Sequence, residues 1–396
     1  MMAMKVYMDN AATTPLRGEA LEAMVAAYRE CFGNSSSVHA FGQAARQALE
    51  DAREEFAACV GARPEEIVFT GGGTESDNLA IRGAALAACG RGDHIVTCAT
   101  EHHAVLHCCR ALEREGFRVT YLPVDGDGVV DPDLFREALE ERTVLASVML
   151  ANNETGALQP VREMSRVARE RGILFHCDAV QAAGKMPLDV KDIGADLVAF
   201  SGHKFYGPKG VGALYVREGT ELAPLMQGGH HEGGLRPGTV NVPAIAGMAR
   251  ALRLATEELP ETSARLGGLR ERLAAGIVER VEGVRRNGAA ERSLPNILNL
   301  SFEGAEGEAL LLALDMAGVA VSTGSACTSG AVEPSHVLLA MGLPPRLAQC
   351  SLRFSLGRFN TAEEIDYVLE TLPTIVRRIR DVAYTGAREG GKVMGS

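Results

Sequence analysis

Between residues 65 and 216, apolar positions fall in short unbroken runs, each closed by Gly, Asp, Pro or Asn. The runs at 67–70, 94–98, 117–124, 144–151, 173–178, 196–201 and 211–216 are rich in Val, Ile, Leu and Phe and predict strands. Longer amphipathic stretches at 76–89, 104–116, 133–140 and 162–172 separate the first five and predict helices. Continuous apolar strands alternating with helices predict an α/β fold around a buried, mostly parallel, seven-stranded sheet. In such sheets ligands sit beyond the carboxyl ends of the strands.

The texture changes after about residue 255. A charged helix at 261–282, a strand at 297–302, a helix at 307–318, a Gly/Ser/Thr loop and a last helix from 361 to about 380 predict a smaller α+β domain. The expected division is 13–255 for the large domain. Residues 1–12 and 256–396 would form the small one, which carries the loop 322–334. The Gly-rich tail 386–396 reads as a frayed end, and no internal repeat is present.

Composition narrows the classes. At 396 residues, two or three domains are expected, with a core that needs no disulfide or metal staple. Acidic side chains outnumber basic ones by 51 to 40, and the net charge of −11 argues against a general nucleic-acid binder. No apolar run reaches the roughly 18 residues of a membrane span. The N-terminal MMAMKVYMDN lacks the features of a signal peptide, so the expected location is cytoplasmic. The nine cysteines are an odd number and read as free thiols, with Cys31, Cys59, Cys89 and Cys350 in or beside helical patterns. Cys108 and Cys109 lie near His102, His103 and His107, but that spacing matches no zinc pattern and no metal is expected.

Three strand ends concentrate chemistry. Phe69-Thr70-Gly71-Gly72-Gly73-Thr74 runs from an apolar strand into a helix start. It suits either a phosphate cradle or a plain left-handed turn capped by Thr74. Asp178 closes the run 173–178; it would be costly to bury without a cation, or it would cap the helical-looking AVQAAG that follows. Ser201, His203 and Lys204 follow the run 196–201, where a lysine held in a site can have the lowered pKa that a Schiff base needs. Lys209, in a Gly-Pro-Lys-Gly turn, reads as solvated. A phosphate anchor, an anion for a pyridinium nitrogen and an amine together match the requirements of pyridoxal phosphate.

The stretches MDNAATTP, GNSSSVHAFG, FTGGGTESDN, TEHHAVL, NNETGALQP, HCDAVQAAGK, SGHKFYGPKG, RPGT, STGSACTSGAVEPSH and LRFSLGRFN span residues 8 to 360. Through them the chain resembles the cysteine desulfurases, fold-type-I pyridoxal-phosphate enzymes of the nitrogen-fixation and iron–sulfur-cluster assembly group. The resemblance implies conversion of L-cysteine to L-alanine with a persulfide formed on Cys327 and passed to an acceptor such as an iron–sulfur scaffold. It implies that Lys204 binds the cofactor covalently, Asp178 pairs with the ring nitrogen and Gln181 bonds the phenolic oxygen. His102 would stack on the ring and share in proton transfer. Gly73, Thr74, Ser201 and His203 would hold the phosphate, joined by Thr239 from the partner subunit of a homodimer. Asn153 and Arg353 would take the substrate carboxylate, with Asn34 nearby.

Composition alone leaves Cys327 either a reactive thiol or an incidental surface cysteine in a Gly/Ser/Thr loop. The flanking GSACTSG carries it toward the reactive reading by resemblance, and the long loop resembles desulfurases rather than selenocysteine lyases. An aminotransferase on the same fold, or a silent binding protein, are the rival classes. The chain departs from the family pattern at Ser35, where Pro is usual, and at His230, His231, Gly233 and Leu235. Those departures bear on access to the site and on the dimer face.

Overall fold

The computed structural model describes residues 4–88, 90–324 and 333–390, so Cys89 and Cys327 lie outside the described residues. The chain opens with a two-residue strand, β1 (Val6–Tyr7), and two helices, α1 (Gly18–Glu30) and α2 (Ala40–Val60). Then strands and helices alternate: β2 (Ile67–Thr70), α3 (Gly73–Ala87), β3 (His94–Cys98), α4 (His103–Arg114), β4 (Arg118–Leu122), α5 (Pro132–Ala138), β5 (Thr143–Ser147), α6 (Val161–Glu170) and β6 (Leu174–Asp178). A short α7 (Val190–Ile193) leads to β7 (Leu197–Ser201), β8 (Gly212–Val216) and α8 (Val242–Glu257).

These strands form one seven-stranded sheet in the order β2-β8-β7-β6-β5-β3-β4. Every pairing is parallel except the two made by β8, which is antiparallel to β2 and β7. The expected mostly parallel sheet is therefore present, with one reversed strand. The link from β7 to β8 has no crossover α-helix, and without one the chain can only return antiparallel. Gly212 opens β8 where a Cβ would stand 2.7 Å from the Gly72 backbone, so glycine permits the reversed strand to pass the glycine turn.

The second part comprises α9 (Leu259–Arg280), β9 (Val284–Asn287), β10 (Ile297–Phe302), α10 (Gly307–Met316), β11 (Val319–Ala320), α11 (His336–Ala340), α12 (Pro345–Ala348), β12 (Ser351–Ser355) and α13 (Ala362–Gly390). Strands β12-β10-β9 form an antiparallel sheet, and β1 pairs with β11. The last helix runs past its expected end near Arg380 into the segment read as frayed. A separate apolar core, including Phe302, Leu352 and Phe354, fills this part.

The largest core lies on one side of the big sheet, where Phe56 of α2 meets Phe69 and Phe200 edge-on at 6.1 and 5.5 Å. Beside it, Arg53 of α2 grips Glu232 through hydrogen bonds of 2.7 and 3.0 Å. Glu232 also accepts the Phe69 N–H at 2.7 Å, and its φ of 47° is left-handed for a non-glycine residue. This buried pair holds the 231–234 turn against the strand that leads into the glycine turn. Removing one partner leaves a buried charge unpaired, at a cost of about 3–5 kcal/mol. Arg53→Ala should lose that much stability in urea unfolding; a loss below about 1 kcal/mol would mean that the turn is held by something else.

Candidate active site

The carboxyl ends of β2, β6 and β7 open on one cavity of about 1140 Å³. Gly73, Thr74, His102, Asn153, Asp178, Gln181, Ser201, His203, Lys204 and Arg353 all line it. Asn34 and Thr239 do not. Both are exposed on the single chain, and Asn34 spends its side-chain oxygen on the Ser36 N–H at 2.9 Å. Cys327 falls in the undescribed stretch, together with the order of its loop.

Helix α3 starts at Gly73 with Gly72 as its N-cap, at φ 151° and with no capping side chain. Thr74 is therefore inside the helix, not its cap as one reading expected. The glycine turn brings the backbone to the cavity before the helix begins. The first N–H groups of α3 receive no side-chain cap, an arrangement that favours an anion. A Cβ on Gly73 would stand 2.8 Å from Val180 Cγ2 and 3.3 Å from Ser201 Cβ, so the turn fits tightly between β6 and β7.

Asp178 caps no helix, but it does lie buried at the end of β6. One oxygen accepts the Val180 N–H at 2.8 Å, and the carboxyl lines the cavity. The segment that follows forms turns rather than an α-helix. Burial raises its pKa to about 6, against the pull of the Val180 N–H and Lys204. A carboxylate in that condition suits a cationic ring nitrogen.

Lys204 ends a single helical turn after β7. Its ammonium donates to Ala11 O at 2.6 Å and Ala12 O at 2.8 Å. Burial, then the Arg353 charge, lowers its pKa to about 8. Tyr206, two residues on, holds φ 69°, fixed by its N–H to Thr14 Oγ1 at 2.7 Å and by its hydroxyl accepting Arg358 N–H at 2.7 Å. That strained turn fixes where the chain goes immediately after the lysine. Lys209 is exposed, at the mouth of the cavity.

His102 is the N-cap of α4, its Nδ1 accepting the Ala104 N–H at 3.2 Å. The surrounding protein, then Lys204, lowers its pKa to about 4, so the imidazole facing the cavity is neutral. His203 Nδ1 lies 3.1 Å from Thr13 Oγ1, and Gln181 donates to Ala11 O at 2.9 Å.

At the other end, Arg353 donates to Asn153 O and Asp9 Oδ1, both at 2.8 Å. Its Nε is buried with no partner in the described structure, an orphaned donor suited to an incoming carboxylate. The cavity thus offers uncapped helix N–H groups, a guanidinium and a buried acid together. That set fits pyridoxal phosphate and an amino-acid carboxylate.

Pattern reading missed several of these groups. Asp9 lies in the MDNAATTP motif, which flagged the segment without assigning the residue. Glu154 gave no signal of its own. It is buried, accepts a short hydrogen bond from Ser335 Oγ, and a Cβ on Gly324 would stand 2.8 Å from its Oε2. It therefore meets both described flanks of the stretch that holds Cys327. Arg353 N–H also bonds Ser322 O at 2.6 Å, tying the first flank to the cavity.

Comparison with known proteins agrees with this geometry. The chain matches the class-V aminotransferase family over residues 6–368. It is 50% identical over 382 residues to the cysteine desulfurase IscS of Dictyoglomus turgidum, covering 96% of this chain and 97% of that protein. It is 50% identical over 378 residues to the IscS of Methanosarcina thermophila, covering 96% and 93%. Among solved structures, a NifS-like protein superposes with a TM-score of 0.89 at 41% identity, covering 94% of this chain and all (100%) of the other. SspA, solved in complex with cysteine, gives 0.80 at 38%, covering 90% and 100%. The architecture is that of fold type I of the pyridoxal-phosphate enzymes. The chain belongs to the class-V aminotransferase family and, within it, to the cysteine desulfurases of the NifS/IscS group.

Burial raises the Glu154 carboxyl to about 7 from its ordinary value of 4.5. Between those pH values the folded protein keeps a proton that the unfolded chain has lost. Stability therefore falls as pH rises through that window and levels off above it. Glu154→Gln removes the slope. Its urea midpoint should match the wild type near pH 5 and exceed it near pH 8, by about 2–3 kcal/mol in free energy. Parallel pH profiles would show that Glu154 is ionised throughout.

Proposed function

We propose that this chain is a cysteine desulfurase that converts L-cysteine to L-alanine and receives the sulfur on Cys327. The observation that carries the reading is the single cavity that joins Lys204, Asp178, the open start of α3, His102 and Arg353. The balance is simple: the substrate's C–S bond breaks, an S–S bond forms on Cys327, and the substrate leaves as alanine. When bound, pyridoxal phosphate draws electrons from the substrate's α-carbon so that its proton can leave.

The chain's own groups would do the rest. Gly73, Thr74, Ser201 and His203 would hold the phosphate at the α3 start, and Lys204 would anchor the cofactor covalently. Asp178 would face the ring nitrogen and Gln181 the phenolic oxygen. His102, neutral and fixed as a helix cap, would lie over the ring. Lys204 or His102 would move the α-proton, since both are able to be uncharged near neutral pH. Arg353 and Asn153 would hold the substrate carboxylate, and Asn34 would stand near it. Cys327 must attack as the thiolate, the nucleophilic form.

A homodimer is part of this reading. Thr239, outside the cavity of its own chain, would reach the phosphate of the partner subunit's site. The exposed Tyr28, Phe32, Val38 and Phe41 supply apolar surface in keeping with a covered face. The division at 13–255, with 1–12 and 256–396 as the small domain, is supported by the two separate cores. Ala11, Leu294 and Ile297 join the larger core at the seam. Free thiols at the seven described cysteines suit a reducing, cytoplasmic setting. No helix among the described residues is long and apolar enough to cross a membrane. The sulfur would pass to an acceptor protein such as an iron–sulfur scaffold.

The deciding experiment supplies purified, reduced protein with pyridoxal phosphate and L-cysteine and measures alanine. Alanine in step with released sulfide is expected. Cys327→Ala should still bind the cofactor yet release no sulfur, and Lys204→Ala should abolish turnover. No alanine from cofactor-loaded protein, or alanine at the wild-type rate from Cys327→Ala, would refute the reading. The Lys204 value gives a further expectation. Covalent uptake of the cofactor by the cofactor-free protein should speed up as pH rises, with a midpoint near pH 8 where the amine loses its proton. A midpoint near 10 would mean that Lys204 is not desolvated in solution.

A further inference from the structure

Side chains alternate along β6, so His176 and Asp178 point to the same face of the sheet. Helix α3 packs against β6 and carries Asp77 in its first turns. Asp77 and His176 are buried, at 1% and 0% exposed, and Asp77 lines the same cavity as Asp178. Asp77 Oδ1 and His176 Nε2 stand 3.5 Å apart, and neither atom has a hydrogen-bond partner among the described residues. The other ring nitrogen, His176 Nδ1, lies 2.9 Å from Ser147 Oγ at the end of β5.

The groups that face this spot are few. β6 presents His176 and Asp178 on this face and turns Cys177 to the other, α3 presents Asp77, and α4 presents the Cys108 thiol. The connection from β3 to α4 presents Glu101, and the turn after β7 presents Lys204. Glu101 accepts the Met149 N–H at 2.7 Å, and its second oxygen has no hydrogen-bond partner among the described residues. Cys177 is neutral, its thiol pushed up by burial. These three buried carboxyls act on one another and only Asp178 senses the Lys204 ammonium, so they cannot all be charged without leaving unpaired charge in a dry space. Burial, then Asp178 and Glu101, pushes Asp77 well above the carboxylate range, and burial pushes His176 down to about 3.

We propose that Asp77 and His176 form a neutral acid–imidazole pair, with Asp77 keeping its proton toward His176 Nε2, and that this pair leaves Asp178 as the ionised carboxylate facing the cofactor's ring nitrogen. The inference rests on the cofactor reading above. His176 then carries its hydrogen on Nδ1 and donates it to Ser147 Oγ. Asp77 is a positioning residue that acts through Asp178. An ionised Asp77 would repel the Asp178 charge and draw a proton onto it. No bond is made or broken; the pair only fixes where one proton resides.

Asp77→Asn keeps the shape and places an amide N–H where the acid proton stood. Infrared difference spectra of wild type against Asp77→Asn near pH 7 should show one protonated-carboxyl band, lost in the variant. The dissociation constant of pyridoxal phosphate should change by less than about threefold in Asp77→Asn and rise about tenfold or more in Asp178→Asn. A carboxylate band in the difference spectrum would overturn the proposal. So would release of the cofactor from Asp77→Asn as readily as from Asp178→Asn, because Asp77 would then be a counter-charge itself. Nitrogen-15 spectra of His176 in the unmutated protein give a check that needs no variant. One bare and one protonated ring nitrogen are expected, and two protonated nitrogens would refute the pair. If the wild type takes up no pyridoxal phosphate, the functional reading fails, while the infrared and nitrogen spectra still decide the pair.

Discussion

A carboxylate at the end of an apolar strand loses its hydration on every side, and only a cation or several donors can compensate. Asp178 is held in that condition by β6, with one N–H from Val180 and the Lys204 charge as its relief. The rest of the centre follows from that imbalance. Lys204 is itself desolvated, so it cannot serve as a permanent counter-ion without giving up its role as a nucleophilic amine. In the proposed reading, a cofactor with a cationic ring nitrogen would resolve both problems, because it would pair with the acid and engage the amine. The buried charges of the site would then balance with the ring in place.

The scaffold places those groups through local constraints rather than through any special stability. Parallel strands put β2, β6 and β7 ends on one edge, and the reversed β8 closes the gap between β2 and β7. That closure works because Gly212 and the glycine turn let two backbones approach. The Arg53–Glu232 pair then holds the 231–234 turn on β2. This turn carries His231 and Gly233, two of the positions where the resemblance led one to expect other residues. His231 also meets Ser36, at 3.0 Å, so two departing segments touch each other.

Much of this was legible beforehand, for identifiable reasons. Strands in a parallel sheet are buried on both faces, so their continuous apolar runs stand out, and all seven were located. Helices α1, α2 and α8 were not anticipated. Their buried faces use Ala20, Ala45, Ala52, Ala57, Ala249 and Ala251, which give a faint periodic signal. Strand-end chemistry was readable at Asp178 and Lys204 because a polar residue interrupts an apolar run. Asp77, Glu101 and Glu154 were not, because a buried acid becomes unusual only when tertiary packing removes its partners. Thr74 shows the opposite error: its side chain suits a cap, but the glycine turn starts the helix one residue earlier.

The chain is acidic overall, yet its proposed substrate and cofactor are both anions. The conflict disappears at the scale of the cavity. Uncapped N–H groups of α3 serve one end, and the guanidinium of Arg353 serves the other. Exposed surface charge is screened within about 8 Å at physiological salt, whereas these groups act through protein. Local arrangement of donors outweighs net charge, and it imposes an order on the bound molecules. Phosphate is favoured at the helix start and carboxylate at Arg353. An amino acid whose carboxylate met Arg353 would sit beside Ser322, whose carbonyl accepts the Arg353 backbone N–H at 2.6 Å, so the described flank of the Cys327 stretch begins where the proposed substrate would bind.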